Sequence, residues 1–298
     1  MQLHTATRTK ILMKMALQGP SGSGKTYSAL LLAYGLWGDW SKIGVIDTEN
    51  SSAHLYSSLG NFLVLGISAP YSPEKYMEAI GICEHSGMEV IIIDSITPEW
   101  DGIGGILEIH SNMAGNSFTN WRKLTPRHNS FIQAILQSSC HIICSIRTKQ
   151  DYVLTERSGK MVPEKVGLRA IQREGIDYEF TIVLNLDIKH YASPSKDRTA
   201  LFAGTPFIIS PETGQRISLW CNPMPGANGF RDIKQRINEC KSFDELLGLY
   251  NALESGEKAA LNPAFSEKRK SLSISHPVAV ANVAAVAKTT QNGTTNHQ

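Results

Sequence analysis

Residues 19 to 26 read Gly-Pro-Ser-Gly-Ser-Gly-Lys-Thr, a complete match to the phosphate-binding pattern G-x-x-x-x-G-K-[ST]. Upstream, residues 11–17 form a short, largely apolar run that fits a buried strand; downstream, residues 27–36 fit a packed helix. A strand, a glycine-rich turn and a helix in that order aim the unpaired N–H groups of a helix N-terminus at an anion. Gly22 and Gly24 let the backbone turn tightly and point its N–H groups inward. Lys25 is placed to reach the outer phosphates of ATP, and the Thr26 hydroxyl to bind Mg²⁺. Gly19, Pro20, Ser21 and Ser23 complete the cradle.

The same rhythm continues to about residue 150. Residues 42–46, 62–67, 89–94 and 141–146 read as strands, and residues 73–85 and 126–137 as helices, the first opened by Ser72-Pro73-Glu74. Strands this continuously apolar are covered on both faces, which predicts an α/β fold with a mainly parallel central sheet flanked by helices. Two later strands are expected over 180–188 and 206–209, joined by a loop. Residues 1–222 are expected to form this core, 223–229 a linker, 230–270 a small helical appendage and 271–298 a disordered tail. The tail is rich in Ala, Val, Thr and Asn and carries Lys288 as its single charge.

A net charge of +2 means that nucleic-acid binding has to come from a local patch. There is no apolar run of transmembrane length and no N-terminal signal pattern, so a cytoplasmic, non-membrane protein is expected. The five cysteines include no C-x-x-C pair and read as buried free thiols. A metal site at Cys140, His141 and Cys144 is disfavoured, because on a strand His141 points away from the other two.

Asp94 ends the apolar strand Val90–Asp94, where P-loop proteins place the carboxylate that holds the Mg²⁺ water shell. Ser95 follows it, so the acid that often activates water directly after that carboxylate is missing. Asp47 and Glu49, past the end of the second strand, open onto the same sheet edge; their spacing alone does not choose between them as the base.

Four segments in order resemble the RecA-like recombinase core: the P-loop, Val45–Glu49, Val90–Ser95 and Ile142–Lys149. More closely, Ser21–Thr26, Ile46–Asn50, Arg147–Tyr152 and Ser195–Arg198 are similar to AAA-family ATPases of phages and mobile elements, one group of which has a RecA-like core and acts in single-strand annealing and recombination. The resemblance spans about residues 11–222. It implies that Glu49, not Asp47, activates the attacking water. It also implies a polar γ-phosphate sensor near the end of the fourth segment, where Ser145 stands in place of the family's longer amide.

From Arg147 to Arg173 seven basic residues (Arg147, Lys149, Arg157, Lys160, Lys165, Arg169, Arg173) face three acids, leaving +4. With Tyr152 to stack a base and Gly159 and Gly167 for flexibility, the segment is a candidate loop for single-stranded DNA. A second candidate cluster joins Trp121, Arg122 and Lys123 to Arg127 and His128. Lys196 and Arg198 are candidates to act in trans on a neighbour's γ-phosphate, which requires a homo-oligomer. The expected function is a DNA-stimulated ATPase acting on single-stranded DNA. An ATP-dependent switch that recruits a partner and a P-loop small-molecule kinase are the alternatives.

Overall fold

A computed structural model describes residues 10–157, 160–202, 204–222, 227–253 and 255–275. The chain divides into two compact units, residues 1–222 and 223–298.

The first unit runs β1 (Lys14–Gly19), α1 (Lys25–Trp37), β2 (Ile43–Asp47), β3 (Leu63–Gly66), α2 (Pro73–His85), β4 (Val90–Asp94), α3 (Thr97–Asp101), α4 (Ile106–Ser111), α5 (Ser117–Gln137), β5 (His141–Arg157), β6 (Lys160–Ala170), β7 (Ile182–Leu186), β8 (Tyr191–Asp197), β9 (Phe207–Ile208) and α6 (Pro211–Cys221). The sheet order is β3-β2-β4-β5-β1-β7-β8-β9. Strands β3 to β7 along that path are parallel, and β8 and β9 close the edge antiparallel. The architecture is the mainly parallel α/β sheet flanked by helices that the alternation of elements predicts.

Alternation along each strand splits the core in two. Met15 and Leu17 of β1, Val90 and Ile92 of β4 and Ile143 of β5 pack on one face with Leu30, Ala33 and Leu36 of α1 and Ile217 of α6. Ala16, Ile91, Ile93, Ile142 and Cys144 pack on the other with Tyr76 and Ile80 of α2 and Phe131 and Ile135 of α5. Helices α1 and α6 touch backbone to backbone: a Cβ on Gly214 would stand 2.4 Å from the Leu32 carbonyl oxygen, and one on Gly35 2.0 Å from the Pro211 carbonyl.

Several elements depart from expectation. Helix α5 begins at Ser117 behind an Asn116 cap and runs through Pro126, which is interior and not the first residue. The segment beyond Arg147 is not a loop: β5 continues to Arg157 and pairs antiparallel with β6, with a register shift after Asp151 opposite Gly167. Gly159 lies outside the described residues. Residues 191–197 form a strand, not a loop, because β8 pairs with β7 across a shift next to Pro194. All five cysteines are buried and free.

The second unit consists of α7 (Ala227–Glu239), α8 (Phe243–Asn251) and α9 (Ser255–Ser275). Ser242 caps α8, its Oγ accepting from the Glu245 amide. Ile237, Leu246, Leu261, Phe265 and Leu272 form its small core. The expected linker is shorter, since α7 already starts at Ala227, and 223–226 lie outside the described residues. The expected tail is helical as far as Ser275, and 276–298 lie outside the described residues.

Candidate phosphate-binding site

Register brings the site together before any side chain is considered. Asp47 of β2 lies opposite Asp94 of β4, Ile93 opposite Cys144 of β5, and Leu17 and Gly19 of β1 opposite Ser145 and Arg147. Four parallel strands therefore end on one edge, where open α/β sheets bind ligands.

The turn after β1 uses left-handed backbone at Gly22 (φ 79°) and Gly24 (φ 81°), which favours glycine. Gly24 opens α1, and the Ser28 amide donates to its carbonyl. The turn is also crowded, because a Cβ at Gly24 would lie 2.9 Å from His190 Nδ1. Lys25 Nζ donates to the carbonyls of Gly19 (2.9 Å) and Pro20 (2.8 Å). Burial pushes the Lys25 ammonium below its ordinary pKa and Arg147 adds to that, while Asp94 and Glu49 pull it back up.

Asp94 is 2 % exposed, and burial holds its carboxyl above the usual carboxylate range. Two hydroxyls oppose that shift: Ser145 Oγ donates to Oδ1, and Thr26 Oγ1 donates to Oδ2 at 2.5 Å. A serine or threonine hydroxyl beside one carboxylate is a hard-oxygen donor set, and it suits Mg²⁺, which takes few protein ligands and completes its shell with water and phosphate. Thr26 and Asp94 would hold the ion, which would neutralise charge on the outer phosphates. Ser145 is fully buried and its hydroxyl is spent on the Asp94 carboxylate.

The two acids after β2 separate by their partners. Asp47 is spent on backbone: its oxygens accept from the amides of Glu49 (2.7 Å) and Ala53 (2.9 Å). Thr48 ties this strand end to β4, its amide donating to the Asp94 carbonyl at 2.9 Å and its Oγ1 accepting from the Ser95 amide. Glu49 is thereby held over the cleft, where it lines a cavity of about 310 Å³ with Gly22, Gly24, Lys25, Thr26, Tyr56, Asp94 and Arg147.

Arg147 is not on an outlying DNA loop. Its Nε and a terminal nitrogen each lie 2.8 Å from Glu49 Oε1. Lys196 and Arg198 lie away from the chain's own P-loop, as a residue acting on a neighbour's phosphate would: Asp197 pairs with Ile182 at the start of β7, the far end from the cleft, and Lys196 Nζ donates to the carbonyls of Asp177 and Tyr178. Of the second cluster, Arg127 is paired with Glu74 and His128 is buried against Glu99, while Arg122 and Lys123 are exposed.

Two further cavities continue the cleft along the sheet edge. One of about 430 Å³ shares Glu49 and Arg147 with the phosphate cleft and is also lined by Asp101 and Ile171. The next, of about 490 Å³, shares Asp101 and Ile171 and is lined by Trp100, Trp121, Lys149, Arg169 and Arg173. Trp100 and Trp121 are half-buried and stacked at 5.8 Å, and His110 also stacks on Trp121 at 4.2 Å. Lys149 and Arg169 are direct cross-strand partners on the β5–β6 hairpin. The side chains of Tyr152, Arg157, Lys160 and Lys165 lie outside the described residues.

Sequence reading missed Trp100, Tyr56 with its neighbour Tyr27 (5.8 Å between rings), and His190. Tyr56 reaches the phosphate cleft, Trp100 the outer cavity and His190 the turn at Gly24 through tertiary packing, which no local pattern signals.

Fold and cleft together define a P-loop nucleotide-binding ATPase-type domain. A family model described as an AAA domain matches residues 12–217, and the chain belongs to that family. No curated protein matches it. No helix among the described residues is long and apolar enough to cross a membrane.

Proposed function

We propose that the protein is a Mg²⁺-dependent ATPase that acts on single-stranded DNA in recombination or annealing. Gly19 to Thr26 cradle the phosphates, Thr26 and Asp94 hold the metal, and Glu49 takes a proton from the attacking water. The observation that carries the DNA half is the run of cavities from the phosphate cleft to the Trp100–Trp121 stack. Stacked half-buried rings offer a platform to an unpaired base, and Lys149, Arg169 and Arg173 line the same cavity. The strand would pass over Lys149, Arg169 and Arg173, and DNA there would stand one cavity away from Glu49.

The test is steady-state ATP hydrolysis with and without a single-stranded oligonucleotide across a salt series. Stimulation that fades steeply with salt is expected, since phosphate contacts release counterions. Turnover indifferent to DNA overturns the DNA half and leaves a nucleotide switch. Phosphate transfer to a metabolite in place of water overturns both halves.

A further inference from the structure

Arg147 stands where β5 leaves the parallel sheet and becomes the hairpin. Its backbone is fixed on both sides: its amide donates to Thr97 Oγ1 at 2.9 Å and its carbonyl accepts from Ile171 at 2.8 Å. Its side chain is half-exposed and lies in the phosphate cleft, and both of its contacting nitrogens fall on one oxygen of Glu49. The two N–H bonds engage the lone pairs of Oε1 and leave only the other oxygen of Glu49 for a water proton. A terminal phosphate in this cleft is a second, more highly charged acceptor for the same guanidinium, whose planar fork can bind two phosphate oxygens at once.

We propose that Arg147 is the positioning residue of Glu49 and reads the terminal phosphate. With ATP, the guanidinium passes from Glu49 to the γ-phosphate and the carboxylate is released to the water. With ADP, it stays on Glu49. This rests on the ATPase reading above and assigns its regulation.

The test is calorimetric titration of Mg²⁺-ATP and Mg²⁺-ADP into wild type, Arg147→Gln, Arg147→Lys, Glu49→Gln and the Glu49→Gln/Arg147→Gln pair. Charge-assisted bonds of this kind set the scale, so Arg147→Gln should weaken ATP roughly tenfold or more and leave ADP within about twofold. Arg147→Lys should fall between. Glu49→Gln, which removes the competing anion, should tighten ATP, and that gain should vanish in the double variant. An unchanged ATP-to-ADP ratio in Arg147→Gln, equal loss of both nucleotides, or a gain that survives in the double variant overturns the proposal. A wild-type protein that binds ATP without hydrolysing it sinks the ATPase reading instead, while the affinity ratio still judges the exchange of Arg147 between Glu49 and the phosphate.

Discussion

Replacing Ser145 with alanine separates two roles for that residue, phosphate sensor and support for Asp94. The hydroxyl is fully buried and donates to Oδ1 of a carboxylate that is 2 % exposed. Burial already pushes that carboxyl's pKa up, and the Ser145 bond is the first of the two that oppose the shift. A hydrogen bond to a charged group is worth about 1.5–3 kcal/mol, so its loss should raise the Mg²⁺ needed for tight nucleotide binding roughly ten- to hundredfold. The sign with pH follows from the same carboxyl. Raising its pKa further leaves less of it ionised at neutral pH, so the defect should shrink as pH rises. Mg²⁺ titrations of ATP binding at several pH values read this directly. Ser145→Thr, which keeps the hydroxyl, should lie within a few-fold of wild type. An alanine variant with wild-type Mg²⁺ dependence but altered ATP-over-ADP preference would refute this reasoning and return Ser145 to the sensor role.

Lys25→Ala should abolish nucleotide binding or turnover, and normal turnover in it removes the P-loop assignment. Gly214→Ala puts a methyl 2.4 Å from a backbone oxygen of α1. Alanine is the better helix former by about 1 kcal/mol, which offsets part of a clash of about 1–3 kcal/mol, so Tm should fall by up to about 8 °C, and a raised Tm argues against the close α1–α6 contact. Burial lowers the His141 pKa from 6.5 to about 4, Lys14 and Lys10 add to the shift, and the neutral Nδ1 accepts from the Met13 amide at 2.9 Å. Below the unfolded value the unfolded chain binds more protons, so stability is full above about pH 6.5 and falls by about 1.4 kcal/mol per unit toward about pH 4. His141→Gln keeps an acceptor and should flatten that slope in denaturant melts; an equal slope in both proteins places the acid sensitivity elsewhere.

What could be read from residues alone divides along a physical line. Buried parallel strands announce themselves, because both faces are covered and the run is apolar; Val90–Asp94 is the clearest case. Their ends carry Asp47, Asp94 and Ser145, so register alone assembles that half of the cleft. The outer half was hidden for the opposite reason. Strand β5 past Arg147 and strand β8, with Pro194 and Lys196 in it, are polar and edge-like, and their pairing is decided by partners distant in sequence. Pro126 misled in a specific way: proline favours a helix start, yet here α5 tolerates it within the helix, at the loss of one N–H donor. The choice between Asp47 and Glu49 needed the hydrogen bonds, because two acids two residues apart look alike until one is seen to be spent on amides. Arg147 looked like one cation among seven, and only the fold shows it paired with Glu49.

Glu49→Gln in a single-turnover ATP hydrolysis assay tests the centre of the account. A positioned general base contributes about 10² to 10⁴ in rate, so the variant should bind ATP at least as tightly as wild type and hydrolyse it slower by about that factor. Hydrolysis at the wild-type rate would contradict the assignment and leave this cleft without a base.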